Sequence, residues 1–67
     1  MNAKKLIAFL IKYNFEIDHI TGSHYILYCK ENKTRIVVPF HKKDLPKGTL
    51  VAILKEAKLI NEILKNK

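Results

Sequence analysis

Three histidines, His19, His24 and His41, supply the side chains of this chain that exchange protons near neutral pH. A positioned imidazole can accept or donate a proton in a transition state, the basis of general acid–base chemistry. His24 has the most telling surroundings. It follows Gly22-Ser23 and opens the run His24 to Lys30, in which Tyr25, Leu27 and Cys29 alternate with His24, Ile26 and Tyr28. That alternation reads as a strand. With the first set packed beneath helices, His24 stands on the open sheet face near a hairpin end, where a polymer can lie. An ordinary strand histidine beside a turn carries the same local signature. Metal chemistry has less support: His19, His24, His41 and Cys29 show no recognised ligand spacing. A lone Cys29 excludes an internal disulfide and a multi-cysteine zinc site.

The elements that must hold these residues are legible from period and punctuation. Asn2 caps a first helix over Ala3 to Tyr13, with Leu6, Leu10 and Tyr13 on one face and Ile7 and Ile11 beside them. Asn14 is a left-handed terminator. The period then changes to two: Phe15, Ile17 and His19 alternate with Glu16, Asp18 and Ile20. Thr21-Gly22-Ser23 is a turn, with Gly22 taking positive φ. Glu31-Asn32-Lys33 is a second turn, and Thr34 to Pro39 a third strand. Phe40 to Gly48 is a lysine-rich loop, with Gly48 permitting a sharp entry into the next helix. Thr49 caps that helix, Leu50 to Lys58, whose Leu50, Ile53, Leu54 and Ala57 face the sheet. Asn61 caps a short last turn with Ile63 and Leu64 inward. The order α-β-β-β-α(-α) defines an α+β two-layer sandwich, a three-stranded antiparallel sheet with helices on one face. Double-stranded RNA-binding domains share this order.

Size and charge narrow the classes further. Sixty-seven residues make one domain, residues 1–67. Scaling laws give roughly 4,400 Å² of folded surface against about 11,000 Å² unfolded, so one small core and no enclosed cofactor cleft are expected. A dinucleotide-binding unit is excluded on length. The apolar run Leu6 to Ile11 is too short for a signal peptide or a membrane span, so an intracellular, cytoplasmic protein with a reduced Cys29 is expected. The net charge of +7 points to a polyanion. A lysine-favouring coding bias would spread that charge evenly. Instead the segment Lys30 to Lys47 holds six basic residues against Glu31 and Asp44.

Three motifs occur in order: Gly22-Ser23-His24, Val38-Pro39-Phe40-His41, and Leu45-Pro46-Lys47-Gly48-Thr49-Leu50 with Ile53-Leu54. Together with the helix before them and Glu56-Ala57-Lys58-Leu59 after them, the chain resembles the HicA (YcfA-like) toxin family over nearly its whole length. The resemblance implies a small toxin with a fold like the double-stranded RNA-binding domain, which cleaves messenger RNA, arrests translation and is neutralised by a HicB antitoxin. It implies that His24 is the essential histidine and that His41 is a second motif histidine. The family usually has Gly where Lys58 stands, as the left-handed stop of the second helix, and this chain departs from it there.

Such chemistry suits a small protein, because RNA brings its own nucleophile, the 2′-hydroxyl, beside the phosphate it attacks. The protein needs a proton acceptor, a proton donor and positive charge. His24 is the expected catalytic residue of a cofactor-free and metal-independent transesterification. Gly22 and Ser23 support it, and His41, Tyr28 or a lysine supply the second proton role. Lys42, Lys43 and Lys47 flank a helix N-terminus and are the expected RNA contacts, with Arg35 and Lys33 weaker candidates on the third strand. A non-catalytic RNA-binding module of the same fold is the alternative, and an interaction protein for an acidic partner is a third reading.

Overall fold

The computed structural model describes residues 1–65, with side chains described as far as Glu62. The chain runs α1 (Ala3–Lys12), β1 (Glu16–Thr21), β2 (His24–Cys29), β3 (Thr34–Pro39), α2 (Lys47–Glu56) and α3 (Ile60–Lys65). The strands form one antiparallel sheet in the order β1-β2-β3. No helix among the described residues is long and apolar enough to cross a membrane.

The core forms where α1 and α2 cover one side of the sheet. Ala3, Leu6, Ile7 and Leu10 from α1 join Phe15, Leu27, Cys29, Ile36 and Val38 from the sheet side, and Ile53, Leu54 and Ala57 from the second helix and its cap. Alternation in β2 and β3 therefore sorts residues as expected: Leu27 and Cys29 go under the helices, and His24 and Tyr28 go to the open face. Leu50 packs against this core as part of the predicted face of α2. Ile11 does not reach it and stays exposed.

Both long helices stop by the same device. Asn14 has φ 75°, its N–H donates to the Ile11 carbonyl at 3.1 Å, and the Phe15 N–H donates to the Leu10 carbonyl at 3.0 Å. Lys58 has φ 61°, its N–H donates to the Lys55 carbonyl at 3.0 Å, and the Leu59 N–H donates to the Leu54 carbonyl at 2.9 Å. These paired bonds are Schellman motifs, in which a left-handed residue satisfies the last helical carbonyls. Lys58 thus performs the glycine's part itself, against the steric penalty a Cβ carries in that region. Lys58→Gly is expected to raise stability by about 0.5–1 kcal/mol, or several degrees of melting temperature in a domain this small, measured by thermal unfolding.

Four expectations are corrected. The second helix begins at Lys47, with Pro46 as its N-cap and no side-chain capping bond, so Thr49 is an interior residue of the first turn. Proline suits that boundary, since its fixed φ leads readily into a helix. Gly48 lies in the same turn without positive φ, and a Cβ there would meet open space, so it is no sharp entry. Asn61 lies within α3 rather than capping it, and the side chains of Ile63 and Leu64 fall outside the described residues. The alternation of the first strand also fails. Ile17 pairs with Leu27 and His19 with Ile26, so Asp18 is an unpaired bulge residue. A bulge sets two residues against one and re-aims side chains. Consequently His19 shares the open face with Ile26, while Ile17 and Ile20 lie on the helix side, exposed along the edge.

Candidate functional site

The antiparallel register brings two of the three motifs side by side. Gly22 has φ 55° and takes the first central position of the two-residue turn between Thr21 and His24. Only the first central residue has positive φ there, the arrangement that suits glycine in a type II′ hairpin. His24 pairs with Thr21 on one side and Pro39 on the other. One step further the Phe40 N–H donates to the Ser23 carbonyl at 2.6 Å. Thus Gly22-Ser23-His24 and Val38-Pro39-Phe40-His41 lie alongside each other at one end of the sheet, with His24 and His41 both exposed.

The lysine-rich loop is anchored at both ends. The Phe40 ring stacks on Tyr25 with centroids 4.8 Å apart. Leu45 is buried, and its N–H donates to the Met1 carbonyl at 3.0 Å. Between these anchors His41, Lys42, Lys43 and Asp44 line an open groove of about 610 Å³, together with Pro39 and Thr49. The start of α2 opens onto it, with no acidic residue in its first turn and Lys47 as its first residue. The positive end of the helix dipole therefore lies at the groove that Lys42 and Lys43 line, and Lys47 follows at the first position of the helix. Phe40 and Leu45 were not singled out as anchors from the sequence, although apolar residues inside a polar loop are a usable signal for that role.

The other expected residues lie elsewhere. Tyr28 is four residues along β2 from His24, roughly 13 Å at strand rise. Arg35 pairs with Tyr28, its guanidinium carbon 5.3 Å from the tyrosine ring centroid. Lys33, in the turn before β3, has φ 53°. Tyr28, Arg35 and Lys33 thus occupy the far end of the sheet and are not brought together with His24. Exposure is uneven across the middle of the open face. Val37 is 48% exposed, but Ile26 is buried, enclosed between its pairing partners His19 and Val37.

The bulge builds a polar cluster on this face that periodicity missed. Asp18 Oδ2 accepts from His19 Nδ1 at 2.7 Å and from an Arg35 guanidinium nitrogen at 3.2 Å. Its carboxyl is held below its ordinary range, first by the hydrogen bond to His19 and next by that to Arg35. An ionised carboxylate only accepts hydrogen bonds, so His19 Nδ1 carries the proton and Nε2 is the nitrogen left to exchange with its surroundings. Adjacent Asp and His residues were visible in the sequence. That they point to the same face was not, because only the bulge makes it so. Among the described residues, no group of three or more His, Cys, Asp or Glu side chains converges in a way that could hold a metal ion.

The architecture and the site together define a small α+β protein with an open sheet face, whose basic loop meets the start of a helix beside a strand histidine. The family model described as the HicA toxin of bacterial toxin–antitoxin matches residues 3–59, and the chain belongs to that family. It is therefore a toxin of the toxin–antitoxin kind, and such a toxin implies an antitoxin partner. No curated protein gives a match to this chain.

Proposed function

We propose that this toxin is a cytoplasmic endoribonuclease that cleaves messenger RNA and so arrests translation, with His24 as general acid or base. The observation that carries the reading is the register that sets the exposed His24 beside Pro39, at the sheet end where the His41 loop and its lysines begin. A phosphodiester lying across that end has an imidazole within its reach and positive charge around its oxygens. RNA supplies the 2′-hydroxyl nucleophile, so the protein's task reduces to moving two protons and stabilising charge. The expected products are a 2′,3′-cyclic phosphate and a 5′-hydroxyl. The whole chain acts as one domain, and its neutralising partner is a HicB-like antitoxin. A reading frame for such a protein beside the gene supports that pairing.

The test is RNA cleavage by the purified protein in the presence of chelator, with the product ends identified. A non-catalytic RNA-binding module would bind and leave the RNA intact. Lys42, Lys43 and Lys47 provide phosphate contacts in this reading. Replacing all three with alanine should weaken RNA binding and flatten its salt dependence by about 2 in the log–log slope, since each phosphate neutralised on a single strand contributes about 0.7. Binding titrations across a salt series measure this, and an unchanged slope counts against contact through the loop.

A further inference from the structure

One proton role remains to be filled beside His24. We propose that His19, held through Nδ1 by Asp18, is the second proton-transfer residue of the site and protonates the leaving 5′ oxygen. This rests on the endoribonuclease reading and completes it.

Three observations support the assignment. First, His19 pairs with Ile26 while His24 pairs with Thr21, so the two histidines are diagonal neighbours on the same open face. Diagonal neighbours in an antiparallel pair lie about 7–8 Å apart at the backbone, within reach for two imidazoles to flank one phosphate. In-line displacement needs this arrangement, because the attacking and leaving oxygens sit on opposite sides of phosphorus. Second, His19 is the histidine among the described residues with a carboxylate partner, at 2.7 Å. That bond fixes the tautomer and ring orientation and aims the Nε2 edge away from Asp18. Third, the side chains of His19 and Asp18 are 54% and 45% exposed, so a polymer on the face can touch them. Asp18 is a positioning residue here. Tyr28, the other open-face candidate, stands too far along the strand from His24 to share one phosphate with it.

The step balances. The 2′ oxygen forms its bond to phosphorus as its proton passes to His24. The bond from phosphorus to the 5′ oxygen breaks with its electron pair, and that oxygen takes the proton of His19 Nε2. The two histidines end with their protonation states exchanged, and exchange with solvent restores them.

The experiment compares ordinary RNA with the same RNA carrying one sulfur in place of the leaving 5′ oxygen. A thiolate leaves without needing a proton, so a missing acid matters only for the oxygen substrate. His19→Ala is expected to lose about 10²–10⁴-fold on ordinary RNA, the usual worth of one acid–base group, and to come within a few-fold of wild type on the sulfur substrate. Asp18→Asn is expected to show the same pattern with a smaller loss. His24→Ala should be slow on both. Equal activity of His19→Ala and wild type on ordinary RNA overturns the proposal, as does an equal loss on both substrates, which marks a structural effect. Failure of the underlying reading looks different: wild type then cleaves neither RNA, or His24→Ala cleaves both at the wild-type rate.

Discussion

Replacing His24 with alanine is expected to lower the rate of RNA cleavage by about 10²–10⁴-fold, the range associated with losing one general acid or base. Growth arrest on expression should disappear with it. His24 is exposed at the end of β2, and its backbone pairs with Thr21 and Pro39 do not depend on the imidazole. The variant should therefore unfold at nearly the wild-type temperature and still bind RNA, because the lysines of the loop are untouched. Single-turnover cleavage, binding and thermal melts on one preparation separate these quantities. Arrest by both proteins would argue against nuclease toxicity.

The second large effect concerns stability. Leu27 lies in the middle of the central strand, pairs with Ile17 and Ile36, and is fully buried in the core. Leu27→Ala is expected to destabilise the protein by about 2–5 kcal/mol through lost transfer energy and an unfilled cavity. A domain of this length has only about 3–10 kcal/mol in total. The variant should thus melt tens of degrees lower or be largely unfolded at 37 °C, as read from urea and thermal unfolding. Val37→Ala on the neighbouring strand, at a half-exposed position, is the control and should change little. Loss of toxicity in Leu27→Ala would follow from the fold, whereas loss in His24→Ala would not.

Elements governed by local chemistry were readable from the residues. Asn2 accepts a hydrogen bond from the Lys5 N–H at 2.9 Å, as an N-cap should. Asn14 takes the positive φ that its short polar side chain tolerates, and Gly22 takes it because it has no Cβ. The faces of β2 and β3 follow strict alternation, because each buries one side against helices. Long-range placement was less legible. Thr49 has the chemistry of a cap, yet Pro46 starts the helix three residues earlier, since a fixed φ competes well at that boundary. Lys33 and Arg35 are basic and close in sequence to the loop lysines, but the hairpin carries them to the opposite end of the sheet. Asp18 and His19 escaped for a different reason. A bulge has no periodic signature, and without it the alternation of β1 points His19 at the core side. The open-face pair is a property of the pairing between strands, not of either strand alone.

The unpaired Asp18 also bears on length. Ile17, His19, Ile20 and Thr21 meet consecutive residues Leu27, Ile26, Tyr25 and His24 only if Asp18 is passed over. A chain lacking that one codon would keep every one of these partners and every face, with a flat, regular edge in place of the kink. The strand register therefore does not require the eighteenth residue. What would vanish is the carboxylate that ties β1 to Arg35 across the sheet and orients the His19 ring. At this position an insertion or deletion changes the chemistry of the open face and leaves the architecture in frame.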